Sequence, residues 1–229
     1  MSEWWAGVVE EFTFCFIQDD RYMLLVNGIG VTIKVSLVAV VLGILIGFFI
    51  ALCNLSKNKL LRAIGGVYTD VIRGTPSVTQ LMIIYFVVFA TVHWEKWIIT
   101  AIAFGINSGA YVSEIIRAGI LSIDKGQTEA GRSLGLTASQ TMIGIVMPQA
   151  IKNIFPTLCN EFIVLIKETA IVGYVGLMDI QKAGDFIKSA TFSAFMPLIG
   201  TAVIYYVLIK LLTLCLKKIE TALRKSDIR

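Results

Sequence analysis

The sequence contains one histidine, four cysteines and four prolines among its 229 residues. The cysteines lie far apart and form no C-x-x-C pair, so neither a disulfide framework nor a metal site is indicated, and we interpret them as apolar packing residues. The chain also lacks a G-x-x-x-x-G-K-[ST] phosphate loop and any serine, histidine and carboxylate set for covalent catalysis. No basic tract interleaved with aromatic residues indicates nucleic-acid binding. We therefore expect no enzymatic activity in this chain alone, and no metal or cofactor.

Apolar residues, by contrast, are abundant. They make up 56% of the chain, against about 45–50% in an average soluble domain, and the mean hydropathy is +0.79. The stretch 35–53 has no charged residue and is long enough to cross a hydrocarbon layer about 30 Å thick. These features predict an all-α, polytopic membrane protein.

Five transmembrane helices are predicted, and the charges between them predict the orientation of the chain. The spans lie at residues 22–53, from near Pro76 to near His93, from near Trp97 onward, 158–177 and 189–209. Basic residues concentrate after the first, third and fifth spans, and the cytoplasmic loops of membrane proteins are rich in lysine and arginine. We therefore expect the amino terminus outside and the carboxyl terminus in the cytoplasm. The acidic residues expected on the outer side are Asp19, Asp20, Glu95, Asp179 and Asp185.

We interpret residues 1–229 as one transmembrane domain with two distinct terminal segments. Residues 1–21 carry Trp4, Trp5 and several acidic residues, without the basic start and apolar core of a signal peptide. They are expected to form either an interfacial helix on the outer face or an exposed tail. Residues 217–229 are basic and are expected to form a cytoplasmic tail.

Two pairs of glycines, each four residues apart, lie within the predicted spans. Gly43 and Gly47 form one pair and Gly105 and Gly109 the other, and this spacing favours close helix packing. Lys34 lies in the first span, where it either extends towards the outer interface, as we favour, or faces a pore.

The segment 127–148 is moderately polar and lies between long hydrophobic stretches. A helix here would carry Gly131 on a small, smooth face, and Gly135 is suited to the end of that helix. Thr137 can cap a following helix, and Pro148 predicts a further break. We therefore expect a short docking helix, a turn and a return into the membrane.

This segment resembles the EAA loop of the permease subunits of bacterial ABC importers. The matching residues are Glu129, Ala130, Gly131, Gly135 and the sequence IVMP at 145–148, although the family prefers alanine at 131 and leucine at 147. The resemblance implies that residues 124–138 form the coupling helix, which inserts into a cytoplasmic ATPase subunit. An ordinary amphipathic connector is the alternative. The residues implied to contact the ATPase are Gln127, Glu129, Ala130, Gly131, Ser133, Leu134 and Gly135.

Three further stretches resemble one branch of these importers, the polar amino acid permeases. The sequence RGTP at 73–76 precedes the second span, and the other two stretches lie in the third and fourth spans. The matching residues there are Ala110, Tyr111, Glu114, Arg117, Gly119, Ile120, Ile123, Gly126 and Gln127, and then Asn160, Glu161, Phe162, Ile163, Lys167 and Thr169.

The resemblance implies the type I ABC importer permease fold and a place in the bacterial inner membrane. It implies that this chain pairs with a second permease, identical or related, and with a cytoplasmic ATPase dimer that holds ATP and magnesium. An external or periplasmic binding protein would deliver the amino acid.

The fourth span carries Glu161, Lys167 and Glu168, and a charge at the bilayer centre costs at least about 2.5–3.5 kcal/mol. We therefore expect these side chains to face a polar interior. By hypothesis Glu161 contacts the ammonium group or a cationic side chain of the substrate; the alternative is a buried ion pair or polar packing between subunits. The acidic residues slightly favour a basic amino acid. The remaining predicted path residues are Asn107, Ser108, Tyr111 and Asn160.

Glu114 and Arg117 are three residues apart, so they can meet on one helix face. We expect a structural ion pair, with a gating role as the alternative. For the whole chain, the alternatives are a passive channel, which would work without ATP, a purely structural membrane scaffold, which would tolerate disruption of the coupling loop, and an importer permease for another small polar solute.

Overall fold

The structure, a computed structural model, describes residues 2–224 and consists of helices joined by short turns, with no strand in that part of the chain. Lys225 and Arg229 of the predicted tail lie outside the described residues. The α-helices are α1 (Ser2–Phe12), α2 (Tyr22–Leu55), α3 (Lys59–Arg73), α4 (Ser77–Ile83), α5 (Lys96–Leu121), α6 (Lys125–Ser133), α7 (Ala138–Thr141), α8 (Met147–Glu168), α9 (Ile180–Thr191) and α10 (Phe195–Arg224).

Short π- and 3-10-helical turns connect several of these helices. Thr13–Ile17, Ile84–Val88 and Met142–Val146 are π-helical, and Gln18–Asp20 and Thr169–Val175 are 3-10 helices. Because α4 continues directly into Ile84–Val88, the two form one helical segment that leads away from the break after α3.

Three of the described helices, α2, α5 and α10, are long and apolar enough to cross a membrane. A fourth span is obtained if α3 and Ser77–Val88 are counted together, although they meet at an angle of 106°. Helix α8 is not among them, since it carries Lys152 and three further charged residues. Length and composition thus support three or four spans, and the five-helix count stays a prediction.

The second span begins where the sequence predicts, because Gly74 ends α3 and Pro76 caps α4. The structure corrects the start of the last predicted span, which is Phe195 rather than residue 189. The mixed-charge segment 179–188, which the sequence indicates to be a loop, lies almost entirely in helix α9. Helix α10 also continues to Arg224, so the first part of the expected tail at 217–229 is helical.

Helix α9 forms because Asp179 caps it. One carboxylate oxygen of Asp179 accepts a hydrogen bond from the Lys182 backbone N–H at 2.8 Å, and the other accepts one from the Tyr205 hydroxyl at 3.0 Å. Asp179 is fully buried, and this burial raises the pKa of its carboxyl above the ordinary value. The backbone at Asp179 also packs against Gly28 of α2. Asp179 therefore joins α2, α9 and α10.

The two glycine pairs contact each other's helices, as their spacing predicts. A Cβ atom at Gly43 would lie 2.9 Å from Ser108, and one at Gly109 would lie 2.8 Å from Ile46. The pairs therefore allow α2 and α5 to approach closely over two turns, and this contact forms the centre of the bundle.

The amino-terminal segment is anchored to the bundle through its carboxyl-terminal end. Cys15 and Phe16 are buried beside α9 and α10, and Ser193 donates a hydrogen bond to Glu11 at 2.5 Å. Trp4 and Trp5 are exposed. An exposed tail is therefore wrong for the end of this segment, while the interfacial position of α1 stays a prediction.

Lys34 lies beside Trp97, near the start of α5. Its ammonium nitrogen is 3.5 Å from the centre of the indole ring. This is a cation–π contact. Trp97 follows Glu95, one of the acidic residues expected on the outer side, so this contact supports the outer-interface alternative for Lys34, which stays a prediction.

Candidate functional site

The segment between α5 and α8 forms the short helix and turn that its sequence predicts. Asp124 caps α6 by accepting a hydrogen bond from the Gly126 N–H at 2.6 Å. The helix ends after Ser133, and Gly135 has a φ of +84°, a conformation that glycine adopts without a steric penalty. Thr137 then forms a reciprocal capping box with Gln140. Both predicted boundaries are confirmed.

Pro148 does not break the chain, which corrects the sequence interpretation. Residues 138–168 are continuously helical, and Pro148 lies in the first turn of α8. The π-turn Met142–Val146 directly precedes that first turn, and the Met147 N–H bonds to the Met142 carbonyl five residues earlier. Proline lacks an N–H and is tolerated in a first helical turn, so the helix can pass through this position.

One side of α6 is packed and the other is free. Gly131 is buried against Thr141 and Ile145, and a Cβ at Gly131 would lie 2.8 Å from Thr141. Leu134, at the end of the helix, is 81% exposed. The predicted contact residues that form this exposed surface, called here the α6 surface, are Gln127, Glu129, Ala130, Ser133, Leu134 and Gly135. Gly131 is the one predicted contact residue on the packed side.

A cleft of about 560 Å³ opens between the end of α3, α5 and α8. Tyr111 and Glu161, two of the predicted path residues, line it together with Glu114. The remaining lining residues are Arg73, Ile115, Ala118, Gly119, Ser122, Asn153 and Thr157. The cleft thus contains two carboxylates and a guanidinium group among small and apolar side chains.

Two contacts define the polar end of the cleft. The hydroxyl of Ser108, which is buried in α5, donates a hydrogen bond to Glu161 Oε1 at 3.0 Å. The guanidinium of Arg73 lies 5.5 Å from the ring centre of Tyr111, within the range of a cation–π contact. The structure therefore brings together Ser108, Tyr111 and Glu161, as the substrate hypothesis requires.

The other predicted path residues lie elsewhere. Asn107 is 4% exposed and donates its amide N–H to Gln80 Oε1 at 2.8 Å. Asn160 lines a smaller cavity of about 210 Å³ between α8 and α10. Lys167 is exposed and Glu168 half-buried at the end of α8, outside the lining of the main cleft.

Glu114 and Arg117 form the predicted ion pair. Arg117 donates to Glu114 through two guanidinium nitrogens, and the shorter contact is 2.7 Å. Both side chains are partly exposed, so the pair contributes at most about 1 kcal/mol. Because Glu114 also lines the cleft, the pair sets the direction of this carboxylate.

Asn153 and Thr157 line the cleft but were not predicted from the sequence. They lie eight and four residues before Glu161, so all three share one face of α8. This spacing is the signal that could have found them. The Asn153 amide also donates to the Ser122 hydroxyl at 3.0 Å, which fixes α8 against the end of α5. Among the described residues, no group of three or more His, Cys, Asp or Glu side chains is placed to hold a metal ion.

Comparison with known proteins gives this architecture a family. Residues 43–225 match the model of the binding-protein-dependent transport system inner membrane components. The chain belongs to this family. Among its relatives is a putative glutamine transport system permease protein of Rickettsia bellii, 43% identical over 93% of this chain and 98% of the relative. An arginine transport system permease protein of Bacillus subtilis is 40% identical over 89% of this chain and 94% of the relative.

The solved structures agree. A crystal structure of an amino acid ABC transporter with histidines contains a chain that is 41% identical and matches with a TM-score of 0.83, covering 90% of this chain and 98% of that one. An inward-facing MetNI methionine ABC transporter matches with a TM-score of 0.74 at 20% identity, over 88% and 96% of the two chains, which is a likeness of fold. The inner membrane component described here thus has the all-α type I importer permease fold.

Proposed function

We propose that this chain is the permease subunit of an ATP-driven importer for polar amino acids, with basic amino acids slightly favoured. The observation that supports this proposal is the cleft, which is large enough for an amino acid and is lined by both the Glu161 carboxylate and the Arg73 guanidinium. An amino acid zwitterion carries an ammonium group, which the Glu161 carboxylate complements, and a carboxylate, which the Arg73 guanidinium complements. The relatives named for glutamine and arginine transport support the same substrate class.

In this proposal Glu161 contacts the ammonium group of the substrate, and Ser108 orients the Glu161 carboxylate. Ser108 can do so because its hydroxyl donates to one Glu161 oxygen at 3.0 Å, leaving the second oxygen for the substrate. Asn160, Lys167 and Glu168 would belong to other parts of the path or to the seam with a second permease, since they lie outside the main cleft.

The α6 surface would insert into a cytoplasmic ATPase subunit. It is exposed and presents Leu134 at its tip, while Gly131 packs against Thr141 and Ile145 in the helical turns that continue directly into α8. Movement of the ATPase dimer can therefore reach α8, which carries Glu161. The ATP and magnesium would lie on that partner, because this sequence has no phosphate loop.

The complete complex would contain two permeases, identical or related, two ATPases and an external binding protein in the bacterial inner membrane. This chain would cross the membrane five times, with α8 as the charged span that faces the polar interior. Its amino terminus would lie outside, with α1 at the outer interface, and its carboxyl terminus in the cytoplasm. A passive channel or a permease for another small polar solute is the competing proposal.

The test is the ATPase activity of the purified complex in lipid, with L-arginine, L-glutamine and the binding protein added. We expect stimulation in the wild type. We expect Glu161→Gln to raise the amino acid concentration for half-maximal stimulation by tenfold or more. An amide cannot replace the charged partner of an ammonium group, and a hydrogen bond between charged groups contributes roughly 1.5–3 kcal/mol. Transport that continues without ATP would favour the channel, and an unchanged response of Glu161→Gln would contradict the assigned contact.

A further inference from the structure

The break between α3 and α4 leaves backbone groups that need partners. The Gly74 N–H bonds to the Asp70 carbonyl at 2.9 Å, but the chain then turns by 106° at Thr75 and Pro76. Pro76 has no N–H, and the last carbonyls of α3 have no following helical turn to pair with.

The break lies at the depth of the middle of α5. Arg73, directly before it, contacts Tyr111, and Gln80, directly after it, contacts Asn107; both partners lie near the midpoint of Lys96–Leu121. Arg73 faces the cleft, but Ile72 is half-buried and Gln80 is buried, so the inner side of the break packs against protein. Unpaired carbonyl groups here would cost several kcal/mol.

The Thr75 hydroxyl donates to the Val71 carbonyl at 2.8 Å, and the side-chain amide of Gln80 supplies donors for the carbonyls of Ile72 and Thr75. Its nitrogen lies 2.6 Å from the Ile72 carbonyl oxygen and 3.1 Å from that of Thr75, and 2.6 Å from the Thr75 hydroxyl oxygen. Gln80 is 8% exposed, so these contacts are shielded from solvent. One side chain of α4 therefore binds back to the end of α3 on both sides of the turn.

Asn107 fixes the orientation of that amide. Its nitrogen donates to Gln80 Oε1, so the Gln80 nitrogen must point towards the carbonyls of Ile72 and Thr75. An ionised carboxylate at either position would place acceptor against acceptor, so the pair requires two amides.

We propose that Gln80 and Asn107 form an amide clamp that sets the angle between α3 and α4 and thereby holds Arg73 at the cleft. Both are positioning residues, because neither lines the cleft. Arg73 is the last residue of α3, so any change in the end of that helix moves its guanidinium relative to Tyr111. That the Arg73 position affects the substrate rests on the proposed function; the clamp itself does not.

The clamp is tested in the assembled permease–ATPase complex by a distance measurement across the break. Spin labels attached through p-acetylphenylalanine at Val67 of α3 and Val87 after α4 leave the native cysteines in place, and both side chains are exposed. Pulsed electron resonance should give one narrow distribution in the wild type. Gln80→Met and Asn107→Leu keep the approximate side-chain size, and both should shift and broaden it.

Gln80→Glu is the second variant at this position, for use if Gln80→Met does not assemble, and it should broaden the distribution in the same way. Thr100→Val is the matched control: Thr100 is buried in α5, but its hydroxyl bonds only to the Lys96 carbonyl of its own helix. It should retain the wild-type distribution. Wild-type distances in both Gln80 and Asn107 variants would overturn the clamp.

A second measurement separates the clamp from the proposed function. The concentration of L-arginine or L-glutamine for half-maximal ATPase stimulation should rise about tenfold in Gln80→Met and Asn107→Leu, with the maximal rate within about twofold of wild type. Altered distances with an unchanged half-maximal concentration would overturn the role in holding Arg73 for the substrate. If neither amino acid stimulates the wild type, the proposed function is contradicted. The spin-label distances between positions 67 and 87 still test whether the clamp exists.

Discussion

The Ser108 hydroxyl donates a hydrogen bond to Glu161 Oε1 at 3.0 Å and so connects α5 to α8 at the polar end of the cleft. We predict that Ser108→Ala weakens the response to amino acid, with a three- to tenfold rise in the half-maximal concentration, because an intramolecular hydrogen bond typically contributes about 0.5–1.5 kcal/mol. The measurement is a titration of the ATPase activity of the complex with L-arginine or L-glutamine.

Ser113→Ala is the control for this prediction. Ser113 is also buried in α5, but its hydroxyl donates to the Ala110 carbonyl of its own helix. It should leave the titration within about twofold of wild type. Equal effects of the two substitutions would show that loss of any buried hydroxyl in α5 suffices, and the role given to Ser108 would be wrong.

Gly135 ends α6 in a left-handed conformation, and its substitution should uncouple the complex. Gly135→Ala costs about 1 kcal/mol of backbone strain and should change the direction of the α6 surface. Gly144→Ala is the matched control, because Gly144 lies in the next helical turn, has no atom within 4 Å of a built Cβ and does not have a positive φ. We expect reduced amino-acid-stimulated ATPase activity in Gly135→Ala alone; normal stimulation there would contradict the coupling role.

The packing of α2 on α5 predicts a second pair of glycine variants. A Cβ at Gly47 would lie 2.6 Å from Val112, whereas Gly30, in the same helix, has open space around it. Overpacking of this kind costs about 1–3 kcal/mol, while alanine in place of an unhindered helical glycine is favourable by up to about 1 kcal/mol. Thermal unfolding in detergent should therefore give a lower Tm for Gly47→Ala and an equal or higher Tm for Gly30→Ala. The reverse order would contradict the observed helix contact.

If α1 lies at the outer membrane interface, its tryptophans should be quenched by brominated lipid. A variant with phenylalanine in place of Trp94 and Trp97 reports Trp4 and Trp5 alone. Bromine near the headgroup should quench this fluorescence more strongly than bromine at the end of the acyl chain, since interfacial helices lie at the headgroup boundary. Absence of quenching in reconstituted vesicles would instead indicate that α1 is in water or against another protein.

Asp179 predicts a dependence of stability on pH. Burial raises the pKa of its carboxyl in the folded protein, so the folded state holds this proton more tightly than the unfolded state. Its contribution to stability is therefore largest below the unfolded pKa and is lost as pH rises through the folded pKa. Asp179→Asn, which can still cap α9, should flatten the pH dependence of thermal unfolding over that interval; an unchanged profile would contradict the assignment.

Local signals in the sequence predicted the elements whose geometry depends on neighbouring residues. The end of α6 at Gly135, the cap at Thr137 and the faces of the glycine pairs each follow from backbone preference or from helical spacing. The contact of Ser108 with Glu161 was expected only as part of a hypothesis about the substrate.

The features that the sequence did not predict depend on distant residues. The sequence places Asn107 among the candidate path residues, but its hydrogen bond to Gln80, 27 positions earlier, follows from no local pattern. The helical form of the segment after Asp179 depends on a cap that Tyr205 supports from another helix. Hydrophobic periodicity carries no information about such pairings, nor about the 106° angle after α3.

The reciprocal glycine contacts also determine which parts of the permease can move. Helices α2 and α5 approach so closely that sliding one along the other would drive Val112 and Ile46 into backbone, so the two helices must move as a single rigid unit. Opening of the cleft would then require a displacement of α8 or of the end of α3 relative to this unit. The Ser108–Glu161 hydrogen bond joins α8 to the unit, so a displacement of α8 would have to break it.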